Sequence, residues 1–98
     1  MTYHLLIRPL AYMDMDDARE WYESIQAGRG EEFLRELHGR LLEIQAAPEL
    51  HGKVRSRVRA ARMRKSEFLI YFRIDDDLVT VIAVQHSRAH PKRWQRRR

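Results

Sequence analysis

The chain contains no cysteine among its 98 residues. This absence excludes disulfide bonds, zinc sites built from thiolates and a cysteine nucleophile, and it is typical of proteins held in a reducing cytoplasm. Long apolar runs are also missing, since none approaches the ~18 residues of a membrane span and residues 1–10 lack the apolar core of a signal peptide. We therefore expect a cytoplasmic protein with no membrane contact, and the length predicts one domain over 1–98.

Acidic residues are scarce in the second half of the chain. Residues 1–50 carry five Lys or Arg against ten Asp or Glu, whereas residues 51–98 carry fourteen against four. Such segregation favours a basic surface that attracts a polyanion or an acidic protein. The alternative is a basic surface that only keeps the protein soluble.

Hydrophobic periodicity predicts an α+β fold with the order β-α-α-β-β-β. The first helix should begin near Asp14, a plausible N-cap, and the second should end before Pro48. Together they form an antiparallel hairpin that packs on one face of a four-stranded, mainly antiparallel sheet. The predicted helices span 13–26 and 31–47, and the predicted strands span 3–8, 54–63, 68–74 and 78–86.

Alternation along the strands predicts which side chains face the helices. The third strand should turn its even-numbered residues inward, and the fourth strand, apolar on both faces, should be central. In the second strand, Val54, Ser56, Val58 and Ala60 should also turn inward. Tyr71, Arg73 and the odd-numbered arginines of the second strand should then share the opposite face. From about residue 88 the chain should continue as a basic, partly ordered tail.

The second half of the chain carries the most specific patterns. They are a basic strand with Val58 and Arg59, the segments 70–77 and 79–86, and an ending over 86–94. In that ending a histidine closes the last strand and is followed by basic residues, a proline and a tryptophan. With the order of elements, these patterns resemble the RelE/ParE superfamily of toxins from bacterial type II toxin–antitoxin systems. Ser66-Glu67-Phe68 departs from the Phe-Pro-Tyr turn of many relatives.

The resemblance implies a growth-inhibiting toxin that is neutralised by an antitoxin encoded beside it. Some members cleave mRNA on the ribosome, and others poison DNA gyrase without nuclease activity; the ParE-like, gyrase-directed activity is the first hypothesis here. The expected antitoxin segment is short, partly disordered, and acidic or amphipathic. A basic binding module without toxicity is a third hypothesis. No cofactor is implied.

Four residues are candidates for catalysis if the chain is a nuclease. Cleavage through the 2′-hydroxyl requires a proton acceptor, positive charge over the phosphorane and a proton donor to the leaving oxygen. Arg59 and Arg73 suit the charge. His86 suits the acid or base because histidine titrates near neutral pH, and Tyr71 suits base stacking or proton donation. The structural alternatives are a histidine bonded to a carbonyl and a half-buried tyrosine.

Basic residues and one tryptophan are candidates for binding the target or the antitoxin. The arginines could instead protect a sheet edge from pairing with other chains, and the tryptophan could anchor the tail. These candidates are Arg55, Arg57, Arg59, Arg62, Arg64, Arg88 and Trp94. No metal site is predicted, because no carboxylate cluster accompanies His86, His90 and either His4 or His51.

Overall fold

Five strands and two long helices are present in the computed structural model, which describes residues 2–97. No helix within these residues is long and apolar enough to cross a membrane. A 3₁₀ turn at Pro48–Leu50 follows the second long helix. The elements are β1 (His4–Ile7), α1 (Pro9–Ile25), α2 (Arg29–Ala46), β2 (Lys53–Arg55), β3 (Val58–Arg62), β4 (Phe68–Asp75), β5 (Leu78–His86) and the short helix α3 (Lys92–Gln95).

The sheet has the strand order β1-β5-β4-β3-β2. β1 pairs in parallel with β5, and all other neighbouring strands are antiparallel. The predicted α+β class is confirmed, with β5 in the interior of the sheet, but the sheet has five strands and not four. The predicted strand over 54–63 is divided because Ser56 has a positive φ of 54° and Arg55 pairs with Val58. The two residues between them form a hairpin turn.

The first helix begins earlier than the sequence analysis predicted. Pro9 stands at its start, where a missing N–H costs nothing and a fixed φ favours the helix. Asp14 therefore lies within α1, and its prediction as the N-cap was wrong. The buried residues Ala11, Met15 and Ala18 follow helical spacing and face the core.

The turn between α1 and α2 depends on glycine. Gly28 has a φ of 91°, a conformation that side chains rarely adopt. The carboxylate of Glu23 accepts the backbone N–H groups of Gly28 and Gly30, the latter at 3.0 Å, and these bonds lower the pKa of Glu23. The same carboxylate thus satisfies N–H groups at the start of α2 that have no partner within the helix.

The core lies between the helical hairpin and one face of the sheet. Ile70 and Phe72 are fully buried there, and the inward prediction for the even-numbered residues of β4 is confirmed. The prediction for β3 was wrong, because Ala61 pairs with Ile70 and its neighbour Ala60 with Tyr71. Because the two adjacent alanines are equally apolar, the sequence does not show which of them faces the helices. In the structure the burial of Ala61 and Met63 sets the register.

Candidate partner-binding surface

The side of the sheet opposite the helices, called the far face below, has its own apolar cluster. A bulge opposite Tyr71 and Phe72 adds Ile82 to β5, and Ile82 and Ala83 both join this cluster. Trp94 of α3 folds back onto them and onto Val58, and its indole is 5% exposed. The tail is therefore docked on the far face through its tryptophan.

Trp94 also covers the one tyrosine of the far face that was predicted to act on RNA. Its ring stacks on Tyr71 with centroids 4.8 Å apart and an interplanar angle of 15°. Burial raises the pKa of Tyr71, which keeps the phenol protonated at neutral pH. In this arrangement the stacking surface of Tyr71 is occupied by the protein's own indole.

The end of the tail is held by an ion pair with α1. Arg97 bonds both carboxylate oxygens of Asp14, at 2.5 and 3.2 Å, and the Asp14 side chain is only 9% exposed. Asp14 also accepts the backbone N–H of Val84 at 2.9 Å. β1 pairs only with residues 78–81 of β5, so this carboxylate takes the place of a neighbouring strand. Arg8 donates to the carbonyl of Arg97 as well.

Two guanidinium groups contact one carboxylate on the far face. Arg73 donates through Nε to Asp75 at 2.9 Å, and Arg57 also pairs with Asp75. Burial, followed by the charges of Arg8 and Arg57, lowers the pKa of Arg73. Arg57 and Arg73, called the basic cluster below, line a cleft of about 220 Å³ beside the hairpin turn of β2 and β3. Their charge exceeds that of Asp75.

The four predicted catalytic residues are divided between the two sides of the sheet. Tyr71 and Arg73 lie on the far face. Arg59 pairs with Phe72, on the helix side, and donates to the carbonyl of His51 at 2.7 Å; its predicted place on the far face was wrong. His86 lies opposite Phe68, also toward the helices.

His86 therefore contacts neither of the far-face candidates. The carboxylate of Glu67 lies 3.5 Å from Nε2 of His86, and Nδ1 of His86 accepts the backbone N–H of Arg88.

The remaining predicted binding residues are scattered. Arg64 is held by Glu43 through two bonds of 2.7 Å, at the edge where β3 meets α2. Arg55 is exposed at the end of β2, and Arg62 is exposed at the end of β3. Arg88 is exposed in the turn after β5. The predicted row of Arg55, Arg57 and Arg59 does not form one surface.

Sequence reasoning missed Arg8, Asp14, Asp75 and Arg97 as parts of this surface. Arg8 immediately precedes Pro9, and a basic residue at a strand–helix junction carries no recognisable pattern. Within residues 2–97, no three His, Cys, Asp or Glu side chains are grouped so that they could hold a metal ion.

Comparison with known proteins gives a family and a fold. The model of the family described as the ParE toxin of the type II toxin–antitoxin system parDE matches residues 5–91. No curated protein matches the chain in sequence. Among solved structures, the chain is similar to the chromosomal ParDE toxin–antitoxin system of P. aeruginosa, with a TM-score of 0.75 and 15% identity over 87% of this chain and 96% of that one.

A second solved structure with the same fold is the E. coli toxin RelE, an arginine double mutant in its free state. The TM-score is 0.63 and the identity 19%, over 99% of this chain and 94% of that one.

Proposed function

Because the chain belongs to the ParE toxin family, we propose that it poisons DNA gyrase by protein–protein contact and is neutralised by a cognate antitoxin. The family match over residues 5–91 carries this proposal. The basic cluster on the far face is the proposed contact for acidic surfaces of the target or antitoxin. Gyrase acts on DNA in the cytoplasm, so the cytoplasm is the proposed location.

The alternative, a ribosome-dependent mRNA endonuclease, has less support from the arrangement of the side chains. General acid–base catalysis requires the acid and the base to lie within hydrogen-bond reach of the reacting atoms, about 2.6–3.2 Å. His86 lies on the helix side and Arg73 on the far face, and Tyr71 is stacked under Trp94. The similarity in fold to RelE is the observation that keeps this alternative.

Two assays on the same purified protein separate these functions. In the first, the protein is added to gyrase and relaxed plasmid, and loss of supercoiling is expected. In the second, it is added to a cell-free translation reaction, and intact transcripts with continued synthesis are expected. Unimpaired supercoiling together with cleaved transcripts would replace the proposal with the nuclease. No effect in either assay would favour the basic binding module without toxicity.

The antitoxin is tested by co-expression. Expression of the chain alone from a tightly controlled promoter should stop growth and induce the DNA-damage response. Co-expression of the small protein encoded by the adjacent gene should restore growth, and the two should co-purify. Continued growth arrest in the presence of that protein would contradict its role as antitoxin.

A further inference from the structure

We propose that the basic cluster of Arg57 and Arg73 is a carboxylate-binding site for an acidic segment of a partner protein, and that Asp75 partly occupies this site in the unbound protein. The inference rests on the proposed function, since it specifies the chemistry of the partner that the far face would bind. It goes further in making Asp75 a competitor of the ligand.

The charge of the cluster is incompletely balanced. Arg57 and Arg73 share the single carboxylate of Asp75, so the group keeps a net positive charge. The side chains of Arg73 and Asp75 are about one-third exposed, at 31% and 33%. Like charges in a partly desolvated place repel one another more strongly than on an open surface. A second carboxylate would relieve this repulsion.

The hydrogen bonds leave room for that second carboxylate. Arg73 uses Nε for its bond to Asp75, and its terminal nitrogens make no side-chain bond within residues 2–97. The two terminal N–H groups of a guanidinium form the fork that binds a carboxylate through two parallel bonds. The cleft beside Arg57, Val58 and Arg73 has a volume of about 220 Å³. That volume admits an acidic side chain.

The surroundings favour an acidic peptide over a nucleic acid. Proteins that bind single strands stack the bases on exposed aromatic rings beside the basic groove. Tyr71, which lies on the far face two residues before Arg73 in β4, is stacked on Trp94. The cluster already binds a carboxylate of the protein itself, so its geometry is matched to that group.

The test measures the anisotropy of a fluorescein-labelled polyglutamate peptide as each purified variant is added. Arg73→Ala should weaken binding roughly tenfold or more, since hydrogen bonds to charged groups contribute about 1.5–3 kcal/mol. Asp75→Asn should strengthen binding, because it removes the internal competitor while keeping the size of the side chain. Arg73→Lys should give an intermediate affinity, because it keeps the charge but lacks the fork. Arg35→Ala, which removes an exposed charge from α2 on the opposite side, should have no effect.

Several outcomes would overturn the inference. Weaker binding by Asp75→Asn would mean that Asp75 only holds the arginines in place. Equal losses for Arg73→Ala and Arg35→Ala would mean that net charge alone attracts the peptide. Preference for a single-stranded oligonucleotide of matched charge, with the same dependence on Arg73, would make the site one for nucleic acid. Arg57→Ala, an exposed position, serves as a second variant if Arg73→Ala unfolds in circular dichroism.

The peptide measurement contains no gyrase, so its failure is distinct from failure of the proposed function. Gyrase inhibition without peptide binding would reject the carboxylate site and leave the toxin activity. Peptide binding without gyrase inhibition would support the carboxylate site and reject the gyrase-directed activity.

Discussion

At the scale of single residues, Gly30 of α2 lies close against the backbone of α1. A Cβ atom at this position would lie 2.8 Å from the backbone oxygen of Arg19 and 3.0 Å from Oε1 of Glu23. Backbone cannot move aside as a flexible side chain can, so Gly30→Ala should destabilise the protein by about 1–3 kcal/mol. Chemical denaturation of the purified variant measures this difference.

Gly39 supplies the matched control for that substitution, because it lies in the same helix and a Cβ atom added there would have nothing within 4 Å. Gly39→Ala should be neutral or should stabilise by up to about 1 kcal/mol, the gain in helix propensity. Equal denaturation midpoints for Gly30→Ala and the unmodified protein would show that the helices separate at little cost.

Glu43 provides a prediction about acid stability. Its two bonds to Arg64 are the main cause that lowers the pKa from its ordinary 4.5 to about 2. A carboxyl group with a lowered pKa stabilises the folded state above its unfolded pKa, and this contribution is lost as the pH falls through the folded value. Glu43→Gln should therefore melt at a lower temperature than the unmodified protein at pH 7, and the difference should vanish near pH 2.

The control for this experiment is Glu20→Gln, at a glutamate whose side chain is 70% exposed. Its melting temperature should match that of the unmodified protein at both pH values, because an exposed ion pair contributes little. A difference for Glu43→Gln that persists unchanged at low pH would rule out the ion pair as its source.

At the scale of elements, the sequence was sufficient to predict the buried face of a strand where large apolar side chains occur at every second position. The inward face of β4 follows from Ile70 and Phe72, because a register slip would expose both. Neighbouring Ala60 and Ala61 provide no such contrast, so the face of β3 was predicted wrongly. Ser56 carries no strong turn signal, and its positive φ was not recognisable from sequence.

The docked tail is the element whose position depends on one ion pair. Asp14→Asn keeps an oxygen for the N–H of Val84 but removes the charge that pairs with Arg97. The tail should then leave the far face more often, and Trp94 should become accessible to solvent. In a Trp21→Phe background, which leaves Trp94 as the one indole, acrylamide quenching should rise severalfold.

The same variant tests whether the tail opens independently of the rest of the protein. Because the main core lies on the helix side of the sheet, the global melting temperature should fall much less than the quenching rises. Quenching that is unchanged in Asp14→Asn would mean that the stack of Trp94 on Tyr71 holds the tail without help from Arg97.

At the scale of the whole molecule, the segregation of charge along the chain predicted a basic surface but not which residues form it. The partner of each arginine depends on the folded structure. Arg64 forms an ion pair with Glu43, and Arg59 donates to the backbone carbonyl of His51. The basic cluster instead unites Arg57, from the turn before β3, with Arg73 of β4 around Asp75. Such a cluster depends on the register of β3 against β4, which places Val58 opposite Arg73 and which no local pattern encodes.

The division of polar residues between the two sides of the sheet gives a test of function in cells. A nuclease that used His86 as its acid or base should lose about 10²–10⁴ in rate when that group is removed. A gyrase-directed toxin that binds through the far face should depend on Arg73 and not on His86. We therefore expect His86→Gln to stop growth and induce the DNA-damage response, whereas Arg73→Ala should permit growth at equal protein abundance by immunoblot. The opposite result, growth arrest lost in His86→Gln but retained in Arg73→Ala, would contradict the proposal. It would place the active groups on the helix side of the sheet, where His86 lies.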